Sequence, residues 1–309
     1  IQQHLGVTKM IDLVVPYVNG ADPIWKKLYK QYATKDRVRR YRDYDTIRYL
    51  FRSIDTFCPW IDRVILVLQQ ESQIPKWLNV NSPKLRIIYH KDFIPKQFLP
   101  TFNSNVIEMF FNRIPNLSEQ FIVANDDMVF LKPNDMSDWF SIKGEPQHFI
   151  KVLREDKGKP KKGKIFHNIV YNNVKLANKL ANTGKMIDFK NWHIPIAYNK
   201  STWDFVWNNC KTEILNSLAN SKFRTTKNLS HWVFHYYEMI VGITKHNPNF
   251  EQHGYFCIED EVTKEQIEQK IDTAKVACFN DGVEENEELF DVLKNKLESI
   301  MPNKSCFEV

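Results

Sequence analysis

No run in this 309-residue sequence approaches the roughly 20 consecutive apolar residues of a helical membrane span. No leader pattern is visible, and a first residue other than methionine fits trimmed ends. Cysteine is sparse and poorly placed for structural chemistry. Cys58, Cys210, Cys257, Cys278 and Cys306 are odd in number, scattered and without a CxxC pair. That argues against a zinc site or a disulfide framework and for a reducing compartment. There is also no P-loop, GxGxxG, GxSxG or kinase signature. Phosphate would therefore have to be held by arginine, lysine, a metal ion or strand-end amides. No internal repeat is present.

What remains is the composition of a globular protein, 43% hydrophobic and 13% aromatic, with a net charge of +6. The length suits one large domain, or one domain with an appended lobe. Part of the charge is local: Lys157, Lys159, Lys161, Lys162 and Lys164 fall in "EDKGKPKKGK". That Gly/Pro-containing segment reads either as a solvated loop or as a contact for an anionic polymer, nucleotide or membrane surface.

Periodicity gives the architecture. "MIDLVVPYVNG", "DRVILVLQQ", "KLRIIYH" and "QFIVAND" read as buried strands, and residues 45 to 57 as a helix with Ile47, Leu50, Phe51 and Ile54 on one face. "NSNVIEMFFNRI" reads as a helix capped by Asn103 or Ser104. Such alternation predicts an α/β fold, a mostly parallel, Rossmann-like sheet flanked by helices. Residues 166 to 245 read as helical, with "STWDFVWNNCKTEILNSLA" among the clearest segments. "FEQHGYFCIEDE" and "AKVACFNDG" read as short returning strands, and "NEELFDVLKNKLESIMP" as an amphipathic helix. The expected organisation is an α/β core over 1–150, a basic loop and helical insertion over 151–250, and a C-terminal return over 251–309.

Ligands in open parallel sheets bind at the carboxyl ends of strands. Asn19-Gly20 and Asn125-Asp126-Asp127 lie at such ends. Two adjacent carboxylates there can hold a divalent cation against a diphosphate, or take a proton from a hydroxyl; they can equally form an Asx turn. Asp22 beside Asn19-Gly20 extends a site or an ordinary turn. Arg42 and Arg48, from an arginine-rich stretch, can grip phosphate or simply coat a solvated helix face. His231, His235 and Glu238 have helical metal-ligand spacing, but without the zinc-protease glutamate. His193 sits between apolar neighbours in "NWHIPIAYNKS", where a histidine is more often structural than catalytic.

Taken together, "IDLVVPYVNGADPIW", "RYRDYDTIRYLFRSIDTFCPWIDRVILV", "LPTFNSNVIEMFFNRIPNLSEQFIVANDDMVF", "HIPIAYNKSTWDFVW" through "FRTTKNLSHWVFHYY", and "KVACFNDG" resemble the Stealth family. The segments occur in the family's order over nearly the whole chain. Members include bacterial capsular-polysaccharide phosphotransferases and the α/β subunit of the lysosomal-enzyme GlcNAc-1-phosphotransferase. Tyr44, Gln70, Glu71 and Ile196 depart from its usual pattern. The resemblance implies a GT-A-like nucleotide-sugar core and transfer of GlcNAc 1-phosphate, or a related hexosamine 1-phosphate, from a UDP-sugar to a glycan hydroxyl with release of UMP. It implies Mg2+ or Mn2+ at Asp126 or Asp127, and phosphate held by Arg224 and Arg48. It also implies a donor site lined by Asn19, Asp22, Asn103, Ser104, Asn280 and Asp281. His193 is the expected general base, with Asp127 its rival.

The expected partners are UDP-GlcNAc and a polysaccharide acceptor, not nucleic acid. The expected place is the cytoplasm, with peripheral association at the inner membrane face. A metal-dependent glycosyltransferase releasing UDP and a non-catalytic glycan- or polyanion-binding protein are the competing readings.

Overall fold

The computed structural model describes residues 10–34, 38–153, 160–190, 192–250, 254–259, 261–282 and 284–309. Lys157 and Lys159 of the basic loop lie outside the described residues. In chain order the strands are β1 (Ile11–Pro16), β2 (Arg63–Leu68), β3 (Leu85–Tyr89), β4 (Gln120–Val123), β5 (Met128–Phe130), β6 (Gln147–His148), β7 (Ile196–Asn199), β8 (Lys245–His246), β9 (Gly254–Ile258) and β10 (Val276–Asp281). The helices are α1 (Pro23–Tyr32), α2 (Thr46–Phe57), α3 (His90–Phe93), α4 (Ser104–Glu108), α5 (Met136–Trp139), α6 (Ile165–Leu180), α7 (Lys200–Asn209), α8 (Lys211–Leu218), α9 (Trp232–Val241), α10 (Lys264–Thr273) and α11 (Glu287–Ile300).

The main sheet runs β3-β2-β1-β4-β7, parallel except for β7. Val14 of β1 stands opposite Ile65 of β2 on one side and Val123 of β4 on the other. Because side chains alternate across a strand, the run Leu13-Val14-Val15 feeds two different cores. Val14, Ile65 and Val123 pack with α6, α7 and α9, whereas Leu13, Val15, Leu66 and Ile122 pack with α2. The α2 stripe Ile47, Leu50, Phe51 and Ile54 is fully buried in the second core, as helical spacing requires.

A second sheet, β5-β10-β9, lies beyond α2. Met128, Phe130 and Cys278 face the α2 core, while Val129, Ala277 and Phe279 pack on α10 and α11. Between β4 and β5 the chain passes from the first sheet to the second within residues 124–127.

Three expectations are corrected. "NSNVIEMFFNRI" forms only the five-residue α4 and then tightens into a 3-10 turn. Met109, Phe110 and Phe111 are all fully buried there, and no single helical face can bury three successive side chains. The long helix expected after Ser201 is two helices broken at Cys210, whose φ of −124° leaves the helical range. Finally, the stretch read as helical contributes β7, the antiparallel edge of the main sheet.

Candidate active site

A cleft of about 570 Å³ opens along the carboxyl ends of the parallel strands. Tyr17 enters it after β1, Gln69 after β2, His90 at the end of β3 and Asn125 after β4. β9 and β10 of the second sheet supply the far wall with Tyr255, Cys257, Asn280 and Asp281. That volume lies within the roughly 300–1,000 Å³ of small-molecule sites.

Asn125-Asp126-Asp127 is both a turn and a wall of the cleft. The Met128 amide donates to the Asn125 carbonyl at 3.1 Å, closing a β-turn. The Phe279 amide of β10 donates to the Asp127 carbonyl at 2.8 Å, fixing the turn against the second sheet. Burial drives the Asp126 carboxyl well above the usual carboxylate range, and the charges of Asp127 and Asp43 push it the same way. Asp43 is itself oriented: it accepts from the Tyr17 hydroxyl and from the Asp45 amide. One oxygen of Asp127, Oδ1, is buried without a hydrogen-bond partner.

This surplus of negative charge and an unsatisfied carboxylate oxygen fit a hard divalent cation. Among the described residues, no group of three or more His, Cys, Asp or Glu side chains is arranged to hold a metal by itself. That pattern suits Mg2+, which is commonly held by one or two carboxylates and completed by substrate phosphates.

The opposite wall is cationic and aromatic. His193 has φ 49°, an uncommon left-handed conformation, and its ring meets Trp232 at 5.9 Å and Tyr255 at 5.5 Å, both edge-on. Burial lowers its pKa; the nearby Asp127 charge opposes that and the Arg224 charge adds to it. Arg224 donates to Ser104 Oγ at 2.6 Å. Behind them Glu108 is buried; burial raises its pKa while Arg224 and Ser104 pull it back. Sequence reasoning missed Glu108 and Asp43. The signals were there: Glu108 stands four residues after Ser104 on the same face of α4, and Asp43 lies between Arg42 and Tyr44.

Nine of the expected site residues line this cleft: Asp126, Asp127, His193, Arg224, Arg42, Ser104, Asn125, Asn280 and Asp281. Within it, Arg42 donates to Asp281 at 2.7 Å and to the Gly282 and Glu284 carbonyls at 3.2 Å. The Asn280 side chain donates from Nδ2 to the Asp281 carbonyl at 2.7 Å.

The structure does not bring five others to the lining. Asn19 closes its own turn by accepting from the Ala21 amide at 2.7 Å. Gly20 lets Tyr41 pass, since a Cβ there would lie 2.2 Å from the Tyr41 carbonyl oxygen. Asp22 caps α1 and accepts from Ser72 at 2.5 Å and Gln73 at 2.6 Å. Arg48 pairs with Asp45 at 3.2 Å and lies over the Trp77 ring. Asn103 is wholly buried, capping α4 and donating to Ser221 and Asn228 at 3.0 Å.

His231, His235 and Glu238 are also separated in their partners. His231 bonds Tyr198 at 2.8 Å, His235 packs edge-on to His148, and Glu238 accepts from the Asn199 amide. Burial holds His231 neutral down to about 3.

The chain is an α/β transferase by its relatives. A model of Stealth protein conserved region 2 matches residues 40–148. The chain is 32% identical to the capsular polysaccharide phosphotransferase WcwK of Streptococcus pneumoniae, over 97% of this chain and 98% of the relative. It is 28% identical to the receptor polysaccharide phosphotransferase WefC of Streptococcus oralis, over 97% and 99%. It is 29% identical to the exopolysaccharide phosphotransferase cps2G of Lactiplantibacillus plantarum, over 96% of each. The chain belongs to the Stealth family. Among solved structures it is similar to the galactosyltransferase LgtC with donor and acceptor sugar analogs, at 9% identity over 93% and 95% and a TM-score of 0.43. At that score the likeness carries no argument about ligands. Among the described residues, no helix is long and apolar enough to cross a membrane.

Proposed function

We propose that this enzyme transfers a sugar 1-phosphate, GlcNAc 1-phosphate or a related hexosamine 1-phosphate, from a UDP-sugar to a hydroxyl of a growing capsular polysaccharide. The observation that carries this reading is the cleft itself. His193 and Arg224 share it with Asp126 and Asp127, in a chain whose relatives are named polysaccharide phosphotransferases.

In the reaction the acceptor oxygen bonds to the β-phosphorus. The bond from that phosphorus to the bridging oxygen breaks, and the electron pair leaves with UMP. The His193 imidazole takes the acceptor proton; Asp127 is the alternative base. Arg224 steadies phosphate oxygens through its guanidinium, while Arg42, engaged with Asp281 and the Gly282 and Glu284 carbonyls, adds positive charge to the far wall. Asp126 and Asp127 would hold Mg2+ or Mn2+, which supplies charge neutralisation on the diphosphate when bound. A cytoplasmic enzyme at the inner membrane face accords with a nucleotide-sugar donor and with free cysteines.

Incubation with a panel of UDP- and GDP-sugars, followed by phosphorus NMR, tests the reading. Release of UMP together with a new phosphodiester is expected. Release of UDP would make the protein a glycosyltransferase, and no donor consumption would leave only glycan binding.

A further inference from the structure

We propose that a single buried water joins His193 to His235 from behind the cleft, and that His235 is a positioning residue for the candidate general base. The proposal rests on the phosphotransfer reading above and adds to it a residue that acts through His193 rather than on substrate.

Behind the cleft lies a second cavity of about 10 Å³, lined by His148, Trp192, His193, His235 and Tyr236 among others. Among the described residues, His193 alone lines both this cavity and the cleft. The histidine is thus the partition between the substrate space and a small internal chamber. A chamber of that size has room for about one water and for no larger ligand.

Its walls are polar where a water needs them to be. His235 is 5% exposed, and among the described residues neither of its ring nitrogens has a hydrogen-bond partner. The buried Trp192 Nε1 has none either. Polar atoms buried in this way are costly to leave unpaired, and native proteins commonly meet them with ordered water. An indole only donates, whereas a neutral imidazole donates from one nitrogen and accepts at the other. One water satisfies the set. Its oxygen accepts from the Trp192 N–H and from the chamber-side N–H of His193, and one water proton goes to a bare nitrogen of His235. That gives it the about three hydrogen bonds that buried waters usually make.

His235 acts by staying neutral. Burial drives its pKa well below the usual histidine range, and neighbouring His148 and His231 push it the same way. A ring held neutral so firmly does not carry the acceptor's proton away; it orients His193 instead of relaying. By accepting through the water it keeps the His193 proton on the chamber side. That fixes one tautomer and leaves the cleft-side nitrogen bare to take the hydroxyl proton. The rings of His148 at 4.7 Å and Tyr198 at 6.0 Å pack edge-on to His235 and hold it in place.

The test compares wild type with His235→Phe and His235→Gln. Phenylalanine keeps a ring and cannot accept a hydrogen bond, whereas glutamine keeps an acceptor oxygen. A general base contributes about 10²–10⁴-fold, and loss of its tautomer control in His235→Phe should lower kcat for UMP release about tenfold. KM for the nucleotide sugar should not move, and His235→Gln should recover most of the rate.

Nitrogen-15 NMR of histidine-labelled protein provides the other arm, with the His193 signals assigned by their loss in His193→Ala. Wild type should show one fixed His193 tautomer, and His235→Phe a mixture of the two. An unchanged kcat and tautomer in His235→Phe would overturn the proposal. Equal losses of rate in both variants would do the same, because they mark a packing role. If His235→Phe does not fold, the wild-type spectrum decides: a His193 ring exchanging between tautomers sinks the water bridge. If the wild type releases no UMP, or His193→Ala keeps full activity, the catalytic reading has failed, and the tautomer comparison still judges the bridge by itself.

Discussion

His193 combines three features that rarely coincide in a structural histidine. Its backbone is left-handed, its ring is held edge-on between Trp232 and Tyr255, and it borders the cleft beside Asp127. Non-glycine residues in that conformation cost on the order of 1–3 kcal/mol and persist where the surroundings enforce them. Burial lowers its pKa, so the imidazole stays neutral, and able to accept a proton, to lower pH than an ordinary histidine. His193→Ala should reduce UMP release by about 10²–10⁴-fold while nucleotide-sugar binding, read by calorimetry, changes little. Loss of binding in step with turnover would make the residue a structural support instead. From sequence alone His193 was a lone histidine among apolar neighbours. Neither its φ nor its companions from α9 and β9 are local properties, so only the family resemblance drew attention to it.

At the scale of elements, α2 shows how a plausible phosphate grip can be structural. The same arginine-rich stretch that offers Arg42 to the cleft sends Arg52 into the protein, 5% exposed. Arg52 donates to Glu308 at 2.8 and 3.0 Å, to Glu298 at 2.6 Å and to the Met301 carbonyl at 3.1 Å. It thereby clamps α2 to α11 and the C-terminal residues. Burial pushes the Glu308 carboxyl up, but Arg52 and the Ser305 amide outweigh it and hold it below its ordinary 4.5. A carboxyl with a depressed folded pKa adds stability above its unfolded value, and loses it as pH falls through the folded one. Arg52→Met leaves Glu308 without that cation, and should cost about 3–5 kcal/mol in urea unfolding near neutral pH. The difference from wild type should shrink as pH drops below 4.5 and Glu308 becomes protonated. A difference that stays constant across that range would show that packing, not the ion pair, carries the effect. The strands and the buried stripe of α2 were legible because each follows its own period. The break in α4, the break at Cys210 and the return of β7 were not. Each answers to burial against distant segments, which local periodicity does not record.

For the molecule as a whole, the decisive feature is that the Asn125-Asp126-Asp127 turn belongs to neither sheet. β4 ends in the parallel sheet, β5 begins in the other, and the two carboxylates stand at the crossing. The sequence marked those residues, but their partners Asp43 and Phe279 lie 84 and 152 positions from Asp127 and come together only in the fold. The Phe279 amide bond to the Asp127 carbonyl makes the crossing a mechanical link as well. A ligand held by Asp126, Asp127 and the β10 wall must therefore order both sheets at once. With UMP and Mg2+ near 100 times Kd, the stabilisation by mass action is about 2.7 kcal/mol. Amide hydrogen exchange should then slow in residues 124–128 and 276–282 together, although one segment leaves the parallel sheet and the other lies in the second. In an Asp126→Asn, Asp127→Asn double variant, both protections should vanish together, while the exchange of α6 and α9 stays as in the wild type. Protection confined to the parallel sheet would place the nucleotide on Tyr17 and Gln69 alone, and would separate the second sheet from donor binding.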